Sequence, residues 1–137
     1  MHNVFESAYP QFLHPAYSHK YNLYSFHQLF AIIVLMNKEQ ILDYLRNVKS
    51  TYAQEGFLIE ALFGSYSRDD ADAKSDIDIL VEATPQFASK YGFQAFERIR
   101  QIQNELSKAL GVKVDLADRT GMGKTAKKFI IDRAIYV

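Results

Sequence analysis

Two aspartates spaced one residue apart, Asp76 and Asp78, flank the start of an apolar run at 77–81. In an extended strand successive side chains alternate between faces, so both carboxylates point one way and Ile77 and Ile79 the other. Two like charges held that close repel each other, and a cation between them relieves the repulsion. Oxygen ligands with no histidine or cysteine beside them suit a hard ion, Mg²⁺ or Mn²⁺. Mg²⁺ is usually held by one or two carboxylates plus substrate phosphates, so the pair implies a phosphorylated ligand. Upstream, Gly64-Ser65 ends another apolar run. A strand that stops there before a short helical turn turns its backbone N–H groups towards whatever lies ahead. Glycine lets the backbone approach a phosphate, and the serine hydroxyl adds a donor. Arg68, one turn on, has two equally open fates: the same phosphate, or a surface ion pair with Asp69 or Asp70.

Taken singly, Asp-x-Asp and Gly-Ser are common and carry little meaning. Together they narrow the field, because Gly-Ser, ten residues and Asp-x-Asp must coincide with a strand before and a strand through the motif. A competing phosphate motif, Gly121-Met122-Gly123-Lys124-Thr125, also lies between a strand and a helix. Asp118 stands where a P-loop needs its first glycine, so the run reads as a glycine-rich turn capping the last helix.

The elements that must position these residues are legible as periodicities. Asn37 followed by Gln40 forms a capping box, and Ile41, Leu42, Leu45, Val48 and Tyr52 recur at helical spacing up to Gly56. Strands are expected at 57–63, 77–81 and 112–117, with a turn-rich polar connection at 67–75. Phe93, Phe96, Ile99, Ile102, Leu106 and Leu110 mark a long amphipathic helix closed by Gly111, and 124–134 a final helix. Helices alternating with strands make the chain an α/β (α+β) sandwich.

The 137 residues suffice for one domain with a real core. Sixteen basic residues balance sixteen acidic ones, which argues against a dedicated nucleic-acid binder but not against binding one nucleotide. The chain has no cysteine, so thiolate metal sites and disulfides are excluded and a reducing cytoplasm is the expected compartment. No apolar run approaches the roughly 18–20 residues that span a bilayer, so no membrane partner is expected; nor is a secretory signal. Composition changes near Met36: residues 1–35 carry all four histidines and eight aromatics but only two charged residues, Glu6 and Lys20. Two readings of residues 1–35 stand, an arm packed on the domain or on a second subunit, and an artefact of an early start codon. The histidine spacings fit no compact zinc pattern, and no ligand role is assigned to them. Residues 36–137 then form the domain that carries the motif.

With these residues in view, the sequence resembles the minimal nucleotidyltransferase family of the DNA polymerase β superfamily. That family's motif begins Gly-Ser, passes through an Arg-containing turn and ends in Ser-Asp-x-Asp within a hydrophobic strand; Gly64, Ser65, Arg68, Ser75, Asp76 and Asp78 match it. The resemblance covers nearly everything from Met36 onward and implies a nucleotidyltransferase fold, a small mixed β-sheet with helices packed on it. It also implies a third carboxylate on a later strand, which Asp115 supplies within Val112-Lys113-Val114-Asp115-Leu116. One departure stands out: Asp69 occupies the position where the family carries glycine after the arginine, placing a side chain and a negative charge at the turn. By resemblance, Asp76 and Asp78 hold two Mg²⁺ ions that bridge the triphosphate, and Asp115 binds the ion that activates the attacking hydroxyl or accepts its proton. Gly64 and Ser65 orient the β- and γ-phosphates of ATP. Many such proteins are paired with a HEPN-domain toxin, which the resemblance implies is neutralised by AMP attached to its tyrosine. The HEPN signature is absent here, which makes this chain the antitoxin half. A non-catalytic binding antitoxin and transfer to a small molecule are the alternatives. Homo- or hetero-oligomeric assembly is left open.

Overall fold

The computed structural model describes residues 36–137, and both readings of residues 1–35, with the four histidines, lie outside the described residues. Helix α1, Lys38–Ala53, opens on the expected capping box. The Asn37 side chain accepts from Gln40 N at 2.9 Å, while Gln40 Oε1 accepts from Asn37 N at 3.0 Å. Its apolar stripe, Ile41, Leu42, Leu45 and Tyr52, is buried. Strand β1, Phe57–Phe63, leads directly into a single helical turn, α2, Gly64–Ser67. After a turn-rich connection, β2 spans Ile77–Ala83, two residues beyond the expected end.

Helix α3, Pro85–Tyr91, is absent from the periodicity reading. Its signal was present, because Thr84-Pro85 combines an N-cap hydroxyl with a proline in the first turn, and Thr84 Oγ1 accepts from Phe87 N at 3.4 Å. A 3₁₀ turn, Gly92–Gln94, separates it from α4, Ala95–Leu110, which ends on Gly111 in the left-handed conformation. The long helix therefore begins at Ala95, and Phe93 and Phe96 are exposed instead of extending its buried face. Ile102, Leu106 and Leu110 do face the core. Strand β3 is Val114–Asp118, starting two residues later than expected because the turn after the Gly111 cap takes up residues 111–112. Past a 3₁₀ turn at Arg119–Gly121, α5 covers Lys124–Ile131 and stops three residues short of the expected end. The chain then turns back into a two-residue strand β4, Ile135–Tyr136, too short to leave a periodic trace.

The four strands make one mixed sheet in the order β3-β2-β1-β4. Strands β1 and β2 pair antiparallel, with a register shift between Ile59 and Ala61. Strands β2 and β3 are parallel, so the α3–α4 segment is the crossover that joins them. The core lies between the sheet and the helices, with Phe57, Leu62, Ile77, Ile79, Phe87, Leu106 and Val114 fully buried. A polar clamp closes one end. Arg98 donates two bonds to Glu55, at 2.6 and 2.8 Å, and one to Glu105 at 2.9 Å. Tyr52 and Tyr91 donate to the same two carboxylates. Among the described residues no helix is long and apolar enough to cross a membrane.

Candidate active site

The sheet register assembles the site. Phe63 pairs with Asp78 across β1 and β2, and Asp78 pairs with Asp115 across β2 and β3. Residues directly opposite on neighbouring strands share a face, so Asp78 and Asp115 stand side by side. The alternate residues Ile77 and Val114, also partners, turn into the core and are fully buried. Burying one face thus fixes the register, and the register brings the carboxylates together. Asp76 precedes β2 by one residue and joins Asp115 through a shared cation: Lys113 Nζ lies 3.4 Å from Asp76 Oδ2 and 3.5 Å from Asp115 Oδ1.

Gly64 follows the residue that faces Asp78, and the fit there is tight. Its φ is +73°, and a Cβ added to it would lie 2.1 Å from Asp78 Oδ2. Only a residue without a side chain lets the turn pass beneath the Asp78 carboxylate. In α2 the Ser67 hydroxyl donates to Gly64 O at 2.7 Å, and the Ser65 carbonyl accepts from Arg68 N and Asp70 N. Among the described residues the Ser65 hydroxyl has no hydrogen-bond partner.

Burial pushes the Asp78 carboxyl above the usual carboxylate range, and the nearby charges of Asp115 and Asp76 push it the same way. Arg68 and Lys113 pull against that shift. Three carboxylates gathered at one end of the sheet, offering oxygen donors alone, fit a hard divalent ion. Among the described residues no three such groups converge into a ready-made metal cage. An Mg²⁺ site that draws its remaining ligands from water and substrate phosphate needs none.

Arg68 donates to Asp70 at 3.1 Å, and its charge also reaches Asp78. The Asp69 departure keeps a glycine-like backbone but pairs its charge. Its φ of +60° lies in the left-handed region that favours glycine. Its carboxylate is paired with Lys38 Nζ at 2.6 Å. Sequence reasoning missed both lysines. Lys38 is 31 positions from Asp69 and left no local signal. Lys113 was findable, because strand alternation puts a residue two before Asp115 on the same face. A pocket of about 160 Å³ opens between Met36, Lys38, Tyr66, Asp69 and Asp72. None of the three aspartates lines it; the side chains of Asp76 and Asp115 are 36% and 45% exposed. The glycine-rich run at 121–125 behaves as the capping turn expected, with Gly123 at the N-cap position of the exposed helix α5.

Comparison with known proteins agrees with this fold. The profile of the family described as nucleotidyltransferase domain matches residues 60–137. The chain is 36% identical over 103 residues to "Putative protein adenylyltransferase MJ0128" of Methanocaldococcus jannaschii, covering 72% of this chain and 95% of that one. It is 37% identical over 78 residues to "Putative protein adenylyltransferase MJ1379" of the same organism, covering 56% and 73%. A solved structure described as "Structure of putative minimal nucleotidyltransferase" superposes with a TM-score of 0.60 at 25% identity, over 75% of this chain and 98% of that one.

Proposed function

Because the chain belongs to the nucleotidyltransferase domain family, we propose that it moves AMP from ATP to a protein hydroxyl with Mg²⁺ as cofactor. The acceptor is a tyrosine of a HEPN ribonuclease toxin, which makes this chain an antitoxin. The observation that carries the reading is the row Phe63, Asp78, Asp115 across the sheet, with Gly64 tucked beneath Asp78 and Asp76 beside Asp115. The names of the relatives support a protein acceptor. So does the partial exposure of Asp76 and Asp115, which a side chain on another protein can approach.

Asp76, Asp78 and Asp115 are the residues that would hold the ions. Bound there, Mg²⁺ supplies neutralisation of the triphosphate charge and acidification of the attacking hydroxyl. The Ser65 hydroxyl and the Gly64–Ser65 backbone donate to phosphate oxygens and keep the leaving pyrophosphate in line. Asp115 accepts the tyrosine proton as the tyrosine oxygen bonds to the α-phosphorus and the bond to pyrophosphate breaks. Catalysis is positioning and charge stabilisation, as phosphoryl transfer requires. A non-catalytic reading would draw on the charge of Asp69 at the turn, and the pairing of that carboxylate with Lys38 weighs against it.

The test is the intact mass of the partner HEPN protein after incubation with this chain, ATP and Mg²⁺. The expected result is a gain of one or more AMP units, lost with the Asp76→Ala/Asp78→Ala double variant. Tight complex formation without any mass gain would overturn the enzymatic reading.

A further inference from the structure

Lys113 has no part in the scheme above, yet it is in contact with two of the three aspartates. Its carbonyl accepts from Ile77 N at 2.9 Å, which ties it to the point where β2 begins. The ammonium reaches Asp76, just before β2, and Asp115, on β3. Among the described residues no other cation lies within ion-pair distance of either carboxylate. The nearby cations Lys38 and Arg68 are paired elsewhere, with Asp69 and Asp70. The Lys113 side chain is 67% exposed, so charge and not packing holds it in place. A compact ammonium on a flexible four-carbon stem can leave such a position without disturbing the core.

We propose that Lys113 is a positioning residue that holds Asp76 and Asp115 together in the nucleotide-free protein and competes with a divalent ion for them, so that ion binding waits for the triphosphate. A bare divalent ion must displace the ammonium from both carboxylates. A nucleoside triphosphate offers the ammonium phosphate oxygens in exchange, and the two aspartates are released to the ion. The inference rests on the reading of the three aspartates as ion ligands.

The experiment is Mn²⁺ binding to the full chain, followed by the electron paramagnetic resonance signal of free Mn²⁺, with and without a non-hydrolysable ATP analogue. Without the analogue, Lys113→Met is expected to bind Mn²⁺ roughly tenfold more tightly than the unaltered chain, the scale set by a unit charge a few ångströms away. Lys113→Arg should resemble the unaltered chain, and the gap should narrow with the analogue present. Lys38→Met removes a charge that is paired outside the aspartate set and should leave Mn²⁺ affinity unchanged. Circular dichroism melting confirms that each variant is folded, with Lys113→Gln as the second neutral replacement. If the analogue recruits Mn²⁺ to every variant but Lys113→Met binds no tighter without it, the competition is refuted. An equal rise in Lys38→Met would reduce the effect to net charge and also refute it. If Mn²⁺ binds to no variant even with the analogue, the aspartate reading itself fails.

Discussion

Gly64→Ala should damage both the fold and the reaction, and the two costs can be separated. The backbone at Gly64 sits at φ +73°, which costs an L-residue roughly 1–2 kcal/mol. The new methyl would also lie 2.1 Å from Asp78 Oδ2 and 2.9 Å from its Cγ, far inside contact distance. Relieving that overlap means pushing the Asp78 carboxylate aside or opening the β1–β2 pairing, at a further cost of about 1–3 kcal/mol. The single variant should therefore lose about 2–5 kcal/mol, measured as the shift of the urea unfolding midpoint at constant slope. In an Asp78→Ala background the offending oxygen is gone, and the nearest remaining atom is Asp78 Cβ at 3.2 Å. Only the backbone component, roughly 1–2 kcal/mol, should then remain. The double-mutant cycle isolates the contact itself. An equal loss in both backgrounds would refute the close approach of Gly64 and Asp78. So would Gly64→Ala with full AMP transfer and unchanged stability.

Asp78→Asn removes a charge whose ionisation burial and two neighbouring carboxylates oppose. It should abolish transfer while leaving the melting temperature at pH 7 unchanged or higher, and a variant that unfolds would mark Asp78 as structural. Asp69→Gly relieves a positive φ at the loss of one half-exposed ion pair, so a net gain of about 1 kcal/mol is expected by urea unfolding. Glu55 gives the pH dependence: hydrogen bonds from Arg98 and Tyr91 hold its carboxyl at about 2, below the ordinary 4.5. A carboxyl lowered in the folded state adds stability that is present above about pH 4.5 and lost as pH falls towards 2. The clamp should contribute about 1–2 kcal/mol at pH 7 that disappears by pH 2, and Glu55→Gln should flatten that part of the profile in urea unfolding.

The parts of the fold that were legible are those written in one stretch of chain. The α1 capping box is three residues long, and the β1 strand is a single apolar run bounded by two glycines. The Asp76–Asp78 spacing is a local fact that strand geometry translates into a shared face. Where local signals compete, the reading slipped. Phe93 and Phe96 have helical spacing with Ile99 and Ile102, yet Gly92 at φ +54° ends α3 just before them. The chain restarts through a 3₁₀ turn, which leaves both rings outside the core. Strand β4 lies along the edge of β1, where Tyr136 pairs with Ala61 and Ile135 with Leu62, a non-local pairing that its own two residues do not announce.

The charge balance of the site was the least legible part, and the reason is physical. A carboxylate's environment depends on what the sheet register and the loops bring beside it, and ion pairs carry no periodicity. Asp69 looked like a liability from sequence because its partner is on another element; once Lys38 is seen at 2.6 Å, the substitution changes the turn's charge very little. Asp76 and Asp115 looked like metal ligands without a neighbouring cation for the same reason, although Lys113 touches both. The two lysines nevertheless differ in consequence. Lys38 neutralises a carboxylate outside the aspartate set, so its pair can persist through a reaction cycle. Lys113 occupies carboxylates that an ion would also need, so its pairs cannot persist once the ion binds. On the proposed reading of the aspartates, a cation that must leave before an ion binds places a barrier there, and a triphosphate would carry the charge to lower it.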